Sequence, residues 1–219
     1  MGAQWSQFFP PSPTFDESDV ESQDGKVFIV TGGSSGIGLQ LVKILYRKKA
    51  RVYIAGRSEE KARQAITDIQ LEAPQGGSLE FLPLKLDDLA SIKASVQQFQ
   101  SKESELHALW NNAGVSQPPL GSLSAQGIEL QLATNCLGPF LFTTLLLPLL
   151  EATAGKTSPG STRVVWLSSQ IVELSSPSGG ILMEEVHHPP KDKTRNYINS
   201  KTGNWFLSSE LARRAGSNG

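Results

Sequence analysis

The stretch Val27-Phe-Ile-Val-Thr-Gly-Gly-Ser-Ser-Gly-Ile-Gly38 constrains this chain more than any other. It opens as a β-branched apolar run, breaks into a glycine-rich turn, and continues as Leu39-Gln-Leu-Val-Lys-Ile-Leu-Tyr46, whose apolar residues recur at helical spacing. The pattern predicts strand, tight turn, helix. Glycines at 32, 36 and 38 suit a turn where backbone must approach a ligand and a helix must pack close to a strand. The unpaired N–H groups of that helix start favour a phosphate. Alone, the same stretch also reads as a βα turn with no ligand, so the rest of the chain has to decide.

Downstream, strands are expected at about 27–31, 51–55, 79–84, 106–110 and 163–167. Helices are expected at about 37–48, 58–71 with Ser58 as N-cap, 89–101, 126–152 with a kink near Pro148, and 195–215. Pro83 argues that the third strand is an edge or ends there. Residues 170–193, with Pro177, Gly179-Gly180 and Pro189-Pro190, read as an irregular insert. Such alternation predicts an α/β, doubly wound parallel sheet with helices on both faces. Right-handed crossovers then bring the strand ends at 31–38, 56–57, 111–114 and 168–169 to one rim, where open α/β sheets bind ligands.

Two units are expected: a poorly ordered arm over residues 1–24 and one domain over 25–219. A net charge of −1 leaves no electrostatic footprint for nucleic acid or an anionic membrane. The one cysteine, Cys136, excludes an intrachain disulfide, reads as a small buried residue, and fits a cytoplasmic location. The apolar stretch 136–150 contains Gly138, Pro139 and Pro148 and is shorter than a bilayer span, so no transmembrane segment is expected. As a helix it can be buried within the domain or pair across a two-fold in a homodimer. Met1-Gly-Ala-Gln-Trp-Ser6 has the spacing of an N-myristoylation signal, which leaves peripheral membrane association through the N-terminus open. His187-His188 lacks an accompanying ligand set, so no metal is expected.

The chemistry-bearing residues come later. Tyr197-Ile-Asn-Ser-Lys201 sets a phenol and an ammonium four residues apart, on one helix face. A cation beside a phenol favours its ionised form, which suits proton exchange with a substrate oxygen. The order Thr31-Gly-Gly-Ser-Ser-Gly-Ile-Gly38, Asn111-Asn-Ala-Gly114, Asn135, Ser168-Ser169 and Tyr197-x-x-x-Lys201 resembles the short-chain dehydrogenase/reductase family over about residues 25–215. That resemblance implies a Rossmann-type fold and hydride transfer between a nicotinamide and a small-molecule carbonyl or alcohol. It implies Tyr197 as general acid/base and Lys201 as its electrostatic partner and ribose ligand. Ser169 would bind the substrate oxygen, and Asn135 would hold a water in the proton relay. The cofactor cleft would be lined by Gly32, Ser34, Gly36, Ile37, Gly38, Asn112, Ala113 and Gly114. The long insert and the run Asn196-Tyr197-x-x-Ser-Lys201-x-Gly-Asn204 are similar to the retinol-dehydrogenase-like and WW-domain-oxidoreductase-like branch. Substrates in that branch are often lipophilic or secondary metabolites.

Cofactor choice follows from charge. The second strand ends Ala55-Gly56-Arg57, with no carboxylate for the ribose hydroxyls and a guanidinium suited to a 2′-phosphate. Lys61 is a second cation for the same phosphate, so NADP is expected over NAD. Two departures from the family pattern stand out. Lys85 occupies the position of the usual adenine-binding aspartate, and Asp87 substitutes if the register slips by two. The sequence also stops soon after the Tyr-Lys helix, whereas family members continue with a sixth and a seventh strand. The resemblance therefore implies about five strands. It leaves two functional readings: an NADP-dependent oxidoreductase, or a truncated relative that binds nucleotide or a partner without turnover.

Overall fold

The computed structural model describes residues 9–216. Strand β1 (Val27–Thr31) leads into helix α1 (Gly36–Arg47), then β2 (Arg51–Gly56), α2 (Glu59–Glu72), β3 (Ser78–Pro83), α3 (Leu89–Gln100) and β4 (Ala108–Asn111). Helix α4 runs from Leu130 to Ala154 and contains a π-helical turn at Ala133–Leu137. Strand β5 (Arg163–Trp166), helices α5 (Gln170–Ser175) and α6 (Met183–His187), and the long α7 (Lys193–Ala215) complete the described chain.

The strands form one parallel sheet in the order β3-β2-β1-β4-β5. The order turns back between β1 and β4, and the crevice at that switch point is where such sheets bind ligands. Every residue of β1 is buried, as expected of a central strand covered on both faces. Its side chains alternate. Val27 and Ile29 join Leu82, Ile92, Phe99, Phe142 and Leu146 on one face, against α3 and α4. Phe28 and Val30 join Val42, Leu45, Tyr46, Ile54 and Ile69 on the other, against α1 and α2. Burying each large apolar side chain contributes about 1.5–3 kcal/mol, so this alternation locks the register.

Pro83 ends β3, an edge strand, in line with its missing N–H donor. Strand β5 forms the opposite edge and is only partly buried. Helix α4 has a mean hydropathy of 1.5 in its most apolar window, high enough for a membrane span by composition. Phe142, Leu146 and Leu150 instead serve the core. Cys136 is buried, and burial pushes its thiol up to about 12.

Two local expectations change. Helix α4 begins at Leu130 rather than near 126, because Ser124 Oγ accepts from the N–H groups of Gln126 and Ile128 and Gly127 turns with φ of 75°. A Leu123–Glu129 bridge closes that turn. The insert at 170–193 is not wholly irregular, since it contains α5 and α6. Glu185 of α6 accepts from Arg195 Nε at 2.7 Å and from Asn199 Nδ2 at 2.8 Å, which ties the insert to α7. In the described part of the N-terminal arm, Asp16 accepts from the Ser18 N–H, and Lys48 donates to the Ser18 carbonyl. The Met1–Ser6 signal lies outside the described residues.

Candidate functional site

The glycine turn is built for close approach. Gly32 has φ of 67°, and a Cβ there would lie 3.0 Å from the Ala113 Cα. A Cβ on Gly38 would lie 2.5 Å from Asn112 Nδ2 and 2.6 Å from the Gly32 carbonyl oxygen. Both glycines are therefore required by packing between the turn and the end of β4. Gly36 differs: its φ is 56°, and nothing within 4 Å would meet a Cβ. Its backbone faces open space at the start of α1, which is the cradle a diphosphate needs. Ile37 beside it is 75% exposed, unusual for a large apolar residue, and forms part of the cleft wall.

Thr31, at the end of β1, organises the opposite wall. Its hydroxyl donates to the Trp110 carbonyl and accepts from the N–H groups of Asn112 at 3.0 Å and Ala113 at 2.9 Å. Asn112 Nδ2 donates to the Thr31 carbonyl at 2.8 Å. These bonds weld the two strand ends that border the switch point.

A cleft of about 580 Å³ opens there. Of the residues predicted from sequence, Gly32, Ser34, Ile37, Arg57, Lys61, Asn112, Ala113, Gly114, Tyr197 and Lys201 line it. Four predicted residues sit behind or beside that lining: Gly36 and Gly38 in the turn, Asp87 at the far end, and Asn135 beneath Gly114. Ser169 caps α5, its Oγ accepting from the Ile171 N–H at 3.4 Å, and lines an adjoining hollow. Its neighbour Ser168 lines both the cleft and that hollow.

Tyr197 and Lys201 share the inner face of α7, with Lys201 Nζ 5.8 Å from the centre of the Tyr197 ring. Lys201 Nζ donates to the Leu167 carbonyl at 3.0 Å, and the Lys201 carbonyl accepts from Ser168 Oγ at 2.9 Å. Burial pushes the Lys201 ammonium below the usual lysine range. A Cβ on Gly114 would lie 3.1 Å from Asn135 Oδ1 and 3.5 Å from Lys201 Nζ, so three motifs distant in sequence meet at one point.

Asn135 sits in the π-helical turn, an irregularity often found at functional sites. Its Oδ1 accepts from the Val115 N–H at 2.7 Å, and its Nδ2 donates to the Val115 carbonyl and to Ser200 Oγ. Gly203 lets α7 approach this turn, for a Cβ there would lie 2.5 Å from Cys136 Sγ.

At the far end, Arg57 Nη1 lies 3.3 Å from Asp87 Oδ2. Leu84 and Leu86 form the apolar wall between that pair and the glycine turn. Thr134 also lines the cleft, and its buried hydroxyl has no hydrogen-bond partner among the described residues. Sequence reasoning passed over Thr31, Thr134 and Ser168. For Ser168 and Thr31 the signal existed, in the serine pair and at the head of the glycine motif, but the hydroxyl at 134 carries no such signal.

A glycine cradle, an apolar wall, two cations and an orphan hydroxyl fit a dinucleotide. Among the described residues, no cluster of three or more histidine, cysteine, aspartate or glutamate side chains is placed to hold a metal.

Comparison with known proteins finds similarity over most of the chain. The family model described as short chain dehydrogenase matches residues 26–181. The short-chain dehydrogenase/reductase iacJ of Pestalotiopsis fici is 48% identical over 98% of this chain and 68% of its own length. A short-chain dehydrogenase/reductase of Phomopsis amygdali is 48% identical over 98% of this chain and 64% of its own length. The chain thus spans about two thirds of the length of these relatives. Among solved structures, the Pseudomonas aeruginosa RhlG/NADP active-site complex superposes with a TM-score of 0.70 at 27% identity, covering 90% of this chain and 70% of that one.

Proposed function

This chain belongs to the short-chain dehydrogenase/reductase family, and from that membership we propose that it is an NADP-dependent oxidoreductase interconverting an alcohol and a carbonyl. The convergence of Gly114, Asn135 and Lys201 in the cleft that also holds the glycine turn and Tyr197 carries this reading. A nicotinamide, when bound, supplies or accepts a hydride at its C4. In reduction, the Tyr197 hydroxyl gives its proton to the carbonyl oxygen as that oxygen gains negative charge; in oxidation the phenolate takes the proton back. Lys201, buried beside that phenol, holds positive charge there and offers N–H donors to a ribose. Ser169 orients the substrate oxygen, at the rim of the hollow next to the cleft. Asn135 fixes the Val115 backbone and with it one wall of the site.

Arg57 and Lys61 support NADP over NAD, since both cations line the cleft where β2 ends. Resemblance to RhlG, solved as an NADP complex, runs in the same direction. For the substrate, the hollow beside Ser169 includes Val172, Pro177, Trp205 and Phe206, a surface suited to a lipophilic compound. A homodimer and a cytoplasmic location accompany this reading.

Purified protein supplied with NADPH and a panel of ketones, aldehydes and quinones should consume the nicotinamide absorbance. Binding of neither NADPH nor NADH, together with no turnover, would overturn the proposal.

A further inference from the structure

The loop after β4 is held from one side by two amides on a single helix face. Asn135 pins Val115, as described. One turn earlier, Gln131 is 1% exposed, and its Oε1 accepts from the Gln117 N–H at 3.0 Å. The other end of the same amide, Nε2, donates to the Lys193 carbonyl at 2.9 Å. Lys193 begins α7, one turn ahead of Tyr197. Gln117 is also one of two non-glycine described residues with a left-handed backbone, φ 58°, a conformation that needs outside support. Its side chain donates to Thr194 Oγ1 at 3.3 Å, again on the first turn of α7. Val115, at the first pin, and Ser116, between the two pins, line the cleft.

We propose that Gln131 is a positioning residue for the reaction: its amide couples the loop wall at 115–117 to the helix that carries Tyr197. This proposal rests on the dehydrogenase reading above. A buried amide satisfied at both ends by backbone from two different segments sets the distance between them. The exposed Gln117–Thr194 bond and the Asn135 bridge from Val115 to Ser200 join the same two segments, and Gln131 is the link that holds backbone at both ends. Displacing a site wall by about 1 Å can cost roughly a hundredfold in rate, so the clamp acts on substrate placement.

The test compares the whole chain with Gln131→Met, which keeps volume and loses both bonds, and Gln131→Glu. The glutamate accepts from Gln117 in either state but donates to Lys193 only while protonated. Hydrogen–deuterium exchange at 115–121, NADPH affinity, and steady-state reduction of 9,10-phenanthrenequinone are read together. Exchange at 115–121 should rise and the quinone KM should increase about tenfold, with kcat and NADPH affinity within about threefold. In Gln131→Glu the KM should fall back as pH is lowered, a rescue that general loosening of the fold cannot produce. Unchanged exchange overturns the clamp. Raised exchange or a lower melting temperature with unchanged KM overturns the positioning role. If Gln131→Met fails to fold, Gln131→Glu carries the same comparison. Should the wild type reduce no carbonyl, the functional reading fails, and exchange at 115–121 alone decides whether Gln131 holds the loop.

Discussion

The Arg57 guanidinium lies 3.3 Å from the Asp87 carboxylate, across the end of the cleft beyond β2 and β3. Both side chains reach solvent, so the contact contributes little to stability. Its interest is directional: the carboxylate holds the guanidinium at the mouth, where a 2′-phosphate would compete for it.

Arg57→Asp should therefore weaken NADPH binding by about 10- to 100-fold, the worth of one charge-assisted contact, and leave NADH binding unchanged or improved. Calorimetric titration of both nucleotides checks this. An unaltered preference would make Arg57 a bystander.

Asp87→Asn separates two roles for that carboxylate. If Asp87 only holds Arg57, NADPH affinity should stay level or rise and NADH should not respond. If the carboxylate contacts the adenine, as the slipped register anticipates, both nucleotides should bind more weakly.

Tyr197→Phe removes the acid/base hydroxyl and keeps the ring. Turnover should fall by about a thousandfold or more, while NADPH affinity remains within about threefold. Retained activity would move the proton to another group.

Two glycines of the turn should separate in their effects. Gly38→Ala places a methyl against Asn112 and the Gly32 carbonyl, and should lower stability by about 1–3 kcal/mol. Gly36→Ala meets no neighbour and costs about 1 kcal/mol through its positive φ, yet it should impair nucleotide binding. Denaturant melts and NADPH titrations on the pair would reverse this ranking if the cradle lay elsewhere.

His107 gives the fold a pH dependence. Its Nδ1 accepts from the buried Val27 N–H at 3.1 Å, which requires a neutral ring. Burial holds its pKa below 6.5 in the folded state, opposed by Glu105 and helped by Lys26. The unfolded chain then binds the proton more readily, so the stability tied to this ring is complete above about pH 6.5 and declines as acid is added. His107→Gln keeps an acceptor for Val27 and should flatten that part of the urea-stability profile between neutral and mildly acidic pH. An identical slope in both proteins would assign the effect to other groups.

The strand-turn-helix at 27–47 was legible because its signals are local: β-branched residues, glycines at fixed offsets and a helical apolar stripe. The same held for the Tyr197–Lys201 pair, whose spacing alone puts both on one face. The start of α4 was not legible, because Ser124 and Gly127 spend the preceding residues in a turn that mimics helical polarity. Helices α5 and α6 are too short for a periodic stripe, and α6 is tied down by the distant Arg195 and Asn199. Gln131 carries no signal in the sequence, since its two partners lie 14 and 62 residues away.

By itself, the sequence determined the parallel α/β architecture, the rim on which the motifs gather, and the chemical kinds of group available there. Those follow from periodicity, turn chemistry and handed crossovers, which act over a few residues at a time. Only the tertiary structure decided which groups meet. It set Lys201 and Asn135 beneath Gly114, turned the Asp87 carboxylate toward Arg57, brought Ser168 into the cleft wall beside Ser169, and closed the Gln131 clamp. Each of these depends on how closely α4 and α7 pack against the sheet and against one another. That distance is set by the whole core, through contacts such as Gly203 against Cys136 and Gly138 against Leu86.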